Sequence, residues 1–222
     1  MSYLIRVTLP DTPGSLGELA EALGMIDADI RSVDIVQSDS NGEVTDDIVV
    51  ELPTGTLVDA LITAAASVDG VEVDSIRPFT GRVDRRGQIE MLARIASQTK
   101  NVHSAMEELV SVMPQAMTSS WAVALEDTGE GLVRVAASQA APGDDGSSPV
   151  MHGVDAARIL QPESDDWVPQ PWWLLDTTLA ACPLTGTNMV LIVGRIGGPD
   201  FLASEVKQVG DLGTIIGAML RK

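Results

Sequence analysis

Hydrophobic positions at the start of the chain first alternate and then recur at helical spacing. The first predicted strand has apolar side chains at every second position, namely Tyr3, Ile5, Val7 and Leu9. A short amphipathic helix follows, with an apolar stripe made of Leu16, Leu19, Ala20 and Leu23. We expect Thr12 to cap this helix and Pro13 to be its first residue, where a missing N–H costs nothing.

The pattern then predicts a hairpin, a second helix and a last strand. In order, the predicted elements are strands over 30–37 and 44–52, a helix over 57–68 and a strand over 71–79. Asn41-Gly42 suits the positive φ of a hairpin turn, Thr54 is a candidate helix cap, and Gly70 is the expected helix end. The order βαββαβ predicts one antiparallel sheet with both helices on one face, a ferredoxin-like sandwich.

The rest of the chain predicts a second sheet that lies between helices. Helical spacing extends from Ile89 to Met113, and Pro114 is expected to end it. Lys100-Asn101 divides this stretch into two helices, or a single bent helix runs through it. Strands are predicted over 121–125, 132–138, 177–184 and 189–195, with a closing helix from about Asp200. Residues 141–148 are expected to form a mobile loop, and the whole indicates an α+β domain.

A polar segment with two glycines, Thr80 to Gly87, separates the two regions, so we predict domains over residues 1–80 and 87–222. The chain of 222 residues carries 14 basic and 32 acidic side chains, a formal charge of −18. This acidic excess repels phosphate groups, so neither nucleic acid nor a membrane is an expected partner. The N-terminus shows no basic segment followed by an apolar one, and a cytoplasmic location is expected.

Few residues suit metal or nucleophile chemistry. The single cysteine, Cys182, excludes an internal disulfide, and its apolar strand indicates an inert buried thiol. His103 and His152 lack partners at ligand spacing, so we expect neither a metal site nor a cofactor, and solvent exposure for His103. The acidic pairs Asp46-Asp47 and Asp165-Asp166 are adjacent in sequence and are expected to be solvated charges.

Two short segments carry a family resemblance: Asp11-Thr12-Pro13-Gly14-Ser15-Leu16, before the first helix, and Ala28-Asp29-Ile30, at the entry to the second strand. Within the predicted βαββαβ frame they make residues 3–79 resemble an ACT domain, a small regulatory module that senses amino acids. The resemblance implies an amino-acid site and pairing between copies. ACT domains often have Asn where Asp29 stands here, so the resemblance implies the fold more firmly than any given ligand.

The candidate ligand-binding residues are Asp11, Thr12, Pro13, Gly14, Ser15, Asp29 and Ile30. A helix N-terminus presents unpaired N–H groups and a partial positive charge, which suit the carboxylate of a free amino acid. Gly14 lacks a Cβ, so a ligand can approach the backbone closely. The alternative is that Thr12-Pro13-Gly14 only makes a tight, well-capped helix start.

In the second region the resemblance rests on the first helices, Ala181-Cys182-Pro183-Leu184, the apolar strand 189–194, and Pro199-Asp200-Phe201 before the last helix. These features resemble a GAF domain, a member of the PAS-like sensor group with an antiparallel sheet flanked by helices. No signature of nucleotide or haem binding accompanies them, so no cofactor is implied. Three aromatic residues of one loop could line a second pocket, namely Trp167, Trp172 and Trp173. The alternative is a proline-stiffened loop that covers an open sheet face.

The sequence therefore predicts a two-domain, non-catalytic sensor whose ACT-like module binds a small molecule, with an amino acid as the expected ligand. We expect a homodimer or a larger homo-oligomer, because a ferredoxin-like sheet leaves edge strands unpaired. Two other classes stay open: an enzyme, either a hydrolase or a transferase that uses the Trp-lined pocket, and a pure protein-interaction module. No nucleophile–base pair, metal set or phosphate loop in the sequence supports the enzyme.

Overall fold

The computed structural model describes residues 1–79 and 85–221 of the chain. The chain divides into two compact units, Met1–Val83 (unit 1) and Asp84–Lys222 (unit 2). Of the predicted boundary segment, residues 80–84 lie outside the described residues, whereas Gly87 belongs to the first helix of unit 2.

Unit 1 contains one antiparallel sheet of four strands and two helices, in the chain order βαββαβ. Its elements are β1 (Ser2–Pro10), α1 (Ser15–Gly24), β2 (Asp29–Ser38), β3 (Glu43–Glu51), α2 (Asp59–Ala66) and β4 (Glu72–Pro78). The strands lie side by side in the order β2-β3-β1-β4, so β1 and β3 are central. Alternate residues of these central strands, such as Val7 and Ile48, share a buried core with Leu19 and Leu23 of α1.

Both helices of unit 1 begin later than the sequence predicts. Ser15, rather than Pro13, is the first residue of α1. Thr54 lies in a turn that is separate from α2, which begins at Asp59, so the prediction that Thr54 caps this helix is wrong. Gly70 lies beyond the end of α2 and does not terminate it.

Unit 2 contains a second antiparallel sheet, of five strands, together with three α-helices. Its elements are α3 (Arg85–Ser97), α4 (Val102–Ala116), β5 (Trp121–Asp127), β6 (Leu132–Ala137), β7 (Arg158–Leu160), a 3₁₀ helix (Gln170–Trp173), β8 (Thr177–Pro183), β9 (Met189–Ile196) and α5 (Ala203–Leu220). The strand order is β6-β5-β9-β8-β7. The described helices include none with the length and apolar character that crossing a bilayer requires.

The sheet of unit 2 is buried on both faces. On one face, Ala122 and Ala124 of β5 belong to the core that includes Met106 of α4 and Val209 of α5. On the other face, Trp121, Val123 and Leu125 belong to a separate core, which is completed by Trp167, Val168 and Trp172 from the long connection before β8. The period-two alternation of β5 thus divides its side chains between two cores.

The region before β5 contains two helices rather than one bent helix, and the second helix continues past Pro114. Two helices are present, because Asn101 caps α4 by accepting a hydrogen bond from the Ser104 N–H at 3.3 Å. Pro114 does not end α4, which continues to Ala116. The last turn still closes after Pro114, since the Met117 N–H donates to the Met113 carbonyl at 2.9 Å.

Candidate functional site

Helix α1 begins without a side-chain cap. Its N-cap residue is Gly14, which has a φ of 107°. Glycine has no side chain, so no side-chain hydrogen bond caps the helix at this residue. The Thr12 hydroxyl lies 2.7 Å from the Ser15 hydroxyl, and the Ser15 N–H donates to the Thr12 carbonyl at 3.2 Å. The prediction that Thr12 caps the helix is therefore wrong, because its hydroxyl is held in the turn that precedes the helix.

The first turn of α1 leaves two backbone donors free. The first helical hydrogen bond runs from the Glu18 N–H to the Gly14 carbonyl, at 3.0 Å. Within the described part of the chain, no acceptor bonds to the N–H groups of Leu16 and Gly17, and both residues are exposed. Unpaired N–H groups at a helix N-terminus attract a carboxylate or another anionic acceptor.

The loop before α1 is anchored to the turn between β2 and β3. The Asp11 N–H donates to the Gly42 carbonyl at 2.8 Å, and the Thr12 N–H donates to the Pro10 carbonyl at 2.9 Å. No heavy atom lies within 4 Å of the position that a Cβ on Gly14 would take. Glycine is needed there for its positive φ, since the described residues leave that position uncrowded.

A carboxylate lies buried on the helix-covered face of the sheet, where the sequence predicts a solvated charge. Asp46 pairs with Val7 of β1 and Ile35 of β2, on the face that carries the core residues Val44 and Ile48. It is 2% exposed, and its Oδ1 atom has no hydrogen-bond partner among the described residues. The prediction for Asp46 is wrong because β3 is a central strand, whose side chains are covered on both faces.

The surroundings of Asp46 disfavour its ionised form. Burial, followed by repulsion from Asp34, Asp47 and Asp11, raises the pKa of Asp46 to about 6. Asp46 is three residues along β3 from Glu43, which pairs with Pro10 just before the α1 loop, a rise of roughly 10 Å. A positively charged group at this position would stabilise the ionised form.

The adjacent residue, Asp47, is buried on the opposite face and is paired. It accepts a hydrogen bond from Arg6 Nε at 2.7 Å and a second from Arg6 Nη2 at 2.9 Å. Both side chains are 3% exposed, so this is a buried bidentate ion pair. The prediction of a solvated charge is wrong for Asp47 too, because Arg6 of the central strand β1 lies directly opposite it.

The structure divides the predicted site residues of one chain into two groups. Asp29 and Ile30 open β2, where Asp29 pairs with Glu51 at one end of β3. The loop that contains Asp11 follows Pro10, which pairs with Glu43 at the other end of β3. Because a strand rises by about 3.3 Å per residue, the two ends of β3 are roughly 26 Å apart. Within one chain, Asp29 and Ile30 therefore do not reach the start of α1.

The tryptophans of unit 2 are core residues. Trp172 meets Trp121 edge-on, with ring centroids 5.4 Å apart and ring planes at 77°. Trp167 belongs to the same core, and Trp173 packs against it while partly exposed. A cavity of about 30 Å³ remains beside Arg134 and Trp172. That volume holds a water molecule but no organic ligand, so this segment covers a sheet face rather than framing an open pocket.

Asp165 fixes the tryptophan segment in place. Its carboxylate accepts hydrogen bonds from Arg158 Nη1 at 2.8 Å, from the Gln161 N–H at 2.7 Å and from Trp167 Nε1 at 3.2 Å. The hydrogen bonds from Arg158 are the main reason why the pKa of Asp165 falls to about 2. The prediction of a solvated charge is wrong for Asp165, which is buried among these donors, whereas Asp166 is exposed.

The two histidines are exposed, and the cysteine is buried. His103 is exposed, with its Nε2 atom 3.3 Å from Glu107, and His152 is exposed 3.5 Å from Asp166. Cys182 is buried, and burial raises the pKa of its thiol to about 12. Across residues 1–79 and 85–221, no set of three or more His, Cys, Asp or Glu side chains is placed to hold a metal ion.

No protein-family model matches the chain, and no curated protein matches it. Solved structures are similar to it. One is the GAF domain of a phosphoenolpyruvate-protein phosphotransferase from Coxiella burnetii, with 12% identity and a TM-score of 0.46 over 61% of this chain and 93% of that chain. The GAF domain of the Acinetobacter phosphoenolpyruvate-protein phosphotransferase has 14% identity and a TM-score of 0.42, over 60% of this chain and 92% of that chain. The A. aeolicus nlh2 GAF domain has 10% identity and a TM-score of 0.40, over 62% and 97%. GAF domains thus recur among the solved structures to which this chain is similar.

Proposed function

We propose that this chain is a non-catalytic regulatory protein, in which unit 1 binds an amino acid and unit 2 conveys the bound state. The observation that carries the proposal is the exposed start of α1, where the N–H groups of Leu16 and Gly17 have no acceptor among the described residues. The ACT resemblance of residues 11–16 supplies the ligand class. The GAF resemblance of unit 2 supplies the sensor class.

A free amino acid suits this helix start through its carboxylate. The two neighbouring N–H groups can donate charge-assisted hydrogen bonds to such an anion, and the positive end of the helix dipole attracts it. The loop is held by the hydrogen bond from Asp11 to Gly42, so the donors do not need to be ordered at the moment of binding. Asp46, whose Oδ1 atom has no partner among the described residues, lies on the helix-covered face of the sheet and offers this site a second polar group.

Self-association through β2 would complete this site. β2 is last in the strand order, so its outer edge has no strand partner in the part of the chain that the structure describes. Two copies that pair antiparallel along the whole of β2 bring Asp29 of one copy beside Ser38 of the other. Ser38 leads into the turn that anchors Asp11. In such a dimer the two groups of predicted site residues meet at the boundary between the copies.

Unit 2 is assigned no ligand of its own in this proposal. Trp121, Trp167 and Trp172 fill one face of its sheet and leave a cavity of about 30 Å³. A pocket for a small organic molecule encloses roughly 300–1,000 Å³. The same filling argues against a hydrolase or transferase that would use the tryptophan segment as its pocket.

A thermal-shift screen of the full chain against the twenty amino acids tests the ligand class. A ligand at 100 times its dissociation constant stabilises the protein by about 2.7 kcal/mol, which gives a clear shift. We expect at least one amino acid to raise the melting temperature. If none does, the chain is not an amino-acid sensor.

A pair of substitutions at Gly17 tests the position of the site. Gly17→Pro removes one of the two free N–H groups in the first turn of α1, where that group has no helical partner, and Gly17→Ala keeps it. A Cβ at Gly17 meets no heavy atom within 4 Å, so neither change creates a clash at that atom. We expect calorimetric affinity to fall at least tenfold, about 1.4 kcal/mol, in the proline variant alone. Equal affinity in both variants would place the carboxylate elsewhere.

Light scattering at tens of micromolar tests self-association. We expect a dimer or a larger species for the unaltered chain. Ile35→Lys puts a charge on the free edge strand and should yield a monomer, because edge charges oppose strand pairing. Ile62→Lys, which alters an exposed residue of α2, is the matched control and should leave the mass unchanged. A monomeric mass for the unaltered chain would contradict the proposed dimer.

A further inference from the structure

Asp46 is a buried carboxylate whose Oδ1 atom lacks a partner in the described residues, and this is a costly arrangement. Burying an ionisable group without a hydrogen bond or counter-charge is unfavourable, and most proteins avoid it. The next residue of the strand, Asp47, is buried to the same extent, but it accepts two hydrogen bonds from Arg6. Departures of this kind are expected at functional or strained sites.

The place of Asp46 in the sheet connects it to the start of α1. It lies on the face that α1 covers, because Val7, its partner on β1, shares a core cluster with Leu19 of that helix. It is also three residues along β3 from Glu43, the partner of Pro10, so it lies roughly 10 Å along the strand from the loop that precedes α1. The unpaired acceptor therefore lies on the same side of the sheet as the free N–H groups at the start of α1.

The face beside Asp46 opens at the edge of the sheet. Ile35, which pairs directly with Asp46, is 60% exposed, and Val33, which pairs with Ile48, is 39% exposed. Paired residues of neighbouring strands point to the same face. Exposed apolar side chains of the edge strand thus lie next to a buried acidic group, and a ligand with a charged amine and an apolar part matches these neighbouring surfaces.

The charges around this position favour a cation and disfavour a second anion. Asp11, Asp34 and Asp47 all act on Asp46, and Glu18 lies in the first turn of α1. Asp34 and Asp47 are strand partners on the opposite face, where Asp47 is paired with Arg6. Asp11 and Glu18, before and within the first turn of α1, would repel a phosphate or a dicarboxylate, whereas one ammonium group would offset their charge. A divalent metal ion is disfavoured, because the described residues offer no group of three carboxylate, His or Cys ligands.

We infer that Asp46 binds the ammonium group of the unit 1 ligand, so that the site selects primary amines over the matching 2-oxo and 2-hydroxy acids. This inference rests on the proposed binding of an amino acid and adds the residue that binds its ammonium group. The N–H groups of Leu16 and Gly17 hold the carboxylate, and Asp46 holds the opposite charge of the same molecule. A zwitterion satisfies both, whereas a 2-oxo acid leaves the Asp46 carboxylate buried and unpaired.

The first arm of the test uses the unaltered full chain and varies the ligand. The amino acid that gives the largest thermal shift is compared by calorimetry with its 2-oxo acid and with the primary amine that lacks the carboxylate. We expect the 2-oxo acid to bind at least tenfold more weakly than the amino acid. Equal affinity for the two would overturn the role of Asp46 without any substitution.

The second arm varies the protein. Asp46→Asn keeps the shape of the side chain and removes its charge, and Asp69→Asn removes a charge from an exposed loop of the same unit. We expect at least a tenfold loss of amino-acid affinity in Asp46→Asn and no change in Asp69→Asn. Amino-acid affinity that is equal in the two variants would overturn the inference.

The outcomes separate this inference from the proposed function. Amino-acid binding that depends on Gly17 but not on Asp46 retains the proposed site and overturns the amine-binding role. Binding of the bare amine that depends on Asp46, with no gain from a carboxylate, retains the amine-binding role and overturns the amino-acid sensor. If no ligand of the three classes binds the unaltered chain, both proposals are wrong.

Discussion

Asp46 and Asp47 are consecutive residues of β3 that are each 2% exposed, and of the two only Asp47 has a counter-charge among the described residues. Asp47 receives two hydrogen bonds from Arg6, whereas Oδ1 of Asp46 receives none from the described residues. They point to opposite faces because side chains alternate along a strand. The same substitution at the two positions should therefore change stability in opposite directions.

Asp46→Asn should raise the free energy of unfolding at pH 7.5. Burial raises the pKa of Asp46 to about 6. The contribution of this group to the free energy of unfolding is therefore fully present below its unfolded pKa and is lost as the pH rises through about 6. Asn is neutral at every pH and avoids that loss. The expected gain at pH 7.5 is on the order of 2–3 kcal/mol, measured by chemical denaturation followed by circular dichroism.

The pH dependence is the control for this prediction. Near pH 4 the Asp46 side chain is mostly protonated in the folded unit, so the variant and the unaltered chain should differ little. Asp69→Asn, on an exposed loop, should change stability by less than about 0.5 kcal/mol at either pH. Equal stability of Asp46→Asn and the unaltered chain at pH 7.5 would show that Asp46 is not a strained charge.

Asp47→Asn should destabilise unit 1. The neutral amide cannot reproduce the two charge-assisted hydrogen bonds that Asp47 makes with buried Arg6. Loss of one member of a buried ion pair costs about 3 kcal/mol. Denaturation at pH 7.5 should therefore rank Asp46→Asn above the unaltered chain and Asp47→Asn below it, and the reverse order would refute the assignment of the two faces.

A buried ion pair at the start of α5 should hold unit 2 together. Arg195 is 0% exposed, and its guanidinium donates to both Glu205 and the Met117 carbonyl, the latter at 3.2 Å. Glu205 also accepts a hydrogen bond from the Leu202 N–H at 2.8 Å, so it serves as the helix cap. Glu205→Ala should lower stability by about 3 kcal/mol, and Glu130→Ala, at an exposed turn, should change it little.

Asp165→Asn should loosen the tryptophan segment of unit 2. Hydrogen bonds from Arg158 help to lower the pKa of Asp165 to about 2, so its contribution is present above the unfolded pKa and is lost as the pH falls toward 2. At pH 7 the variant should be less stable than the unaltered chain by about 2 kcal/mol. Its free energy of unfolding should also fall less on acidification. Tryptophan fluorescence during denaturation follows unit 2, which contains all four tryptophans of the chain, and Asp166→Asn is the exposed matched control. Identical acid profiles for the two variants would contradict this role.

The order of the elements could be predicted from the sequence because hydrophobic periodicity is local. Alternation at Tyr3, Ile5, Val7 and Leu9 defines β1, and the two sheets contain the strands that were predicted from similar patterns. Strand β7 was not predicted, since its three residues are too few to show a period. The mixed α+β architecture with antiparallel sheets follows from the pattern, whereas the helix starts do not.

Helix starts depend on backbone angles that the residue pattern does not report. Thr12-Pro13 has the composition of a helix cap, yet Gly14 adopts a φ of 107° and delays the helix to Ser15. A β-branched residue at Gly14, such as Gly14→Val, looks tolerable for an early helical position but is strained at this φ by roughly 1–2 kcal/mol. Substitutions at Gly17 therefore test the site more cleanly than substitutions at Gly14.

The buried carboxylate was the feature of the candidate site that sequence reasoning missed. Asp46 occupies a core position in the period-two series Val44, Asp46, Ile48 and Val50, and that register was the available signal. The adjacent pair Asp46-Asp47 looks like surface charge because only the strand order shows that β3 is central. Burial of both faces is a property of the assembled sheet and cannot be read from one strand.

The most direct test of the central claim is a titration of the isotope-labelled full chain with the best-binding amino acid, followed by amide nuclear magnetic resonance. If the ligand carboxylate binds at the start of α1, the amide signals of Leu16 and Gly17 should shift most, because their N–H groups become hydrogen-bonded. The account would be contradicted if the Leu16 and Gly17 signals stay unchanged at saturation while the indole signals of Trp167 and Trp172 move. That result would place the ligand in unit 2.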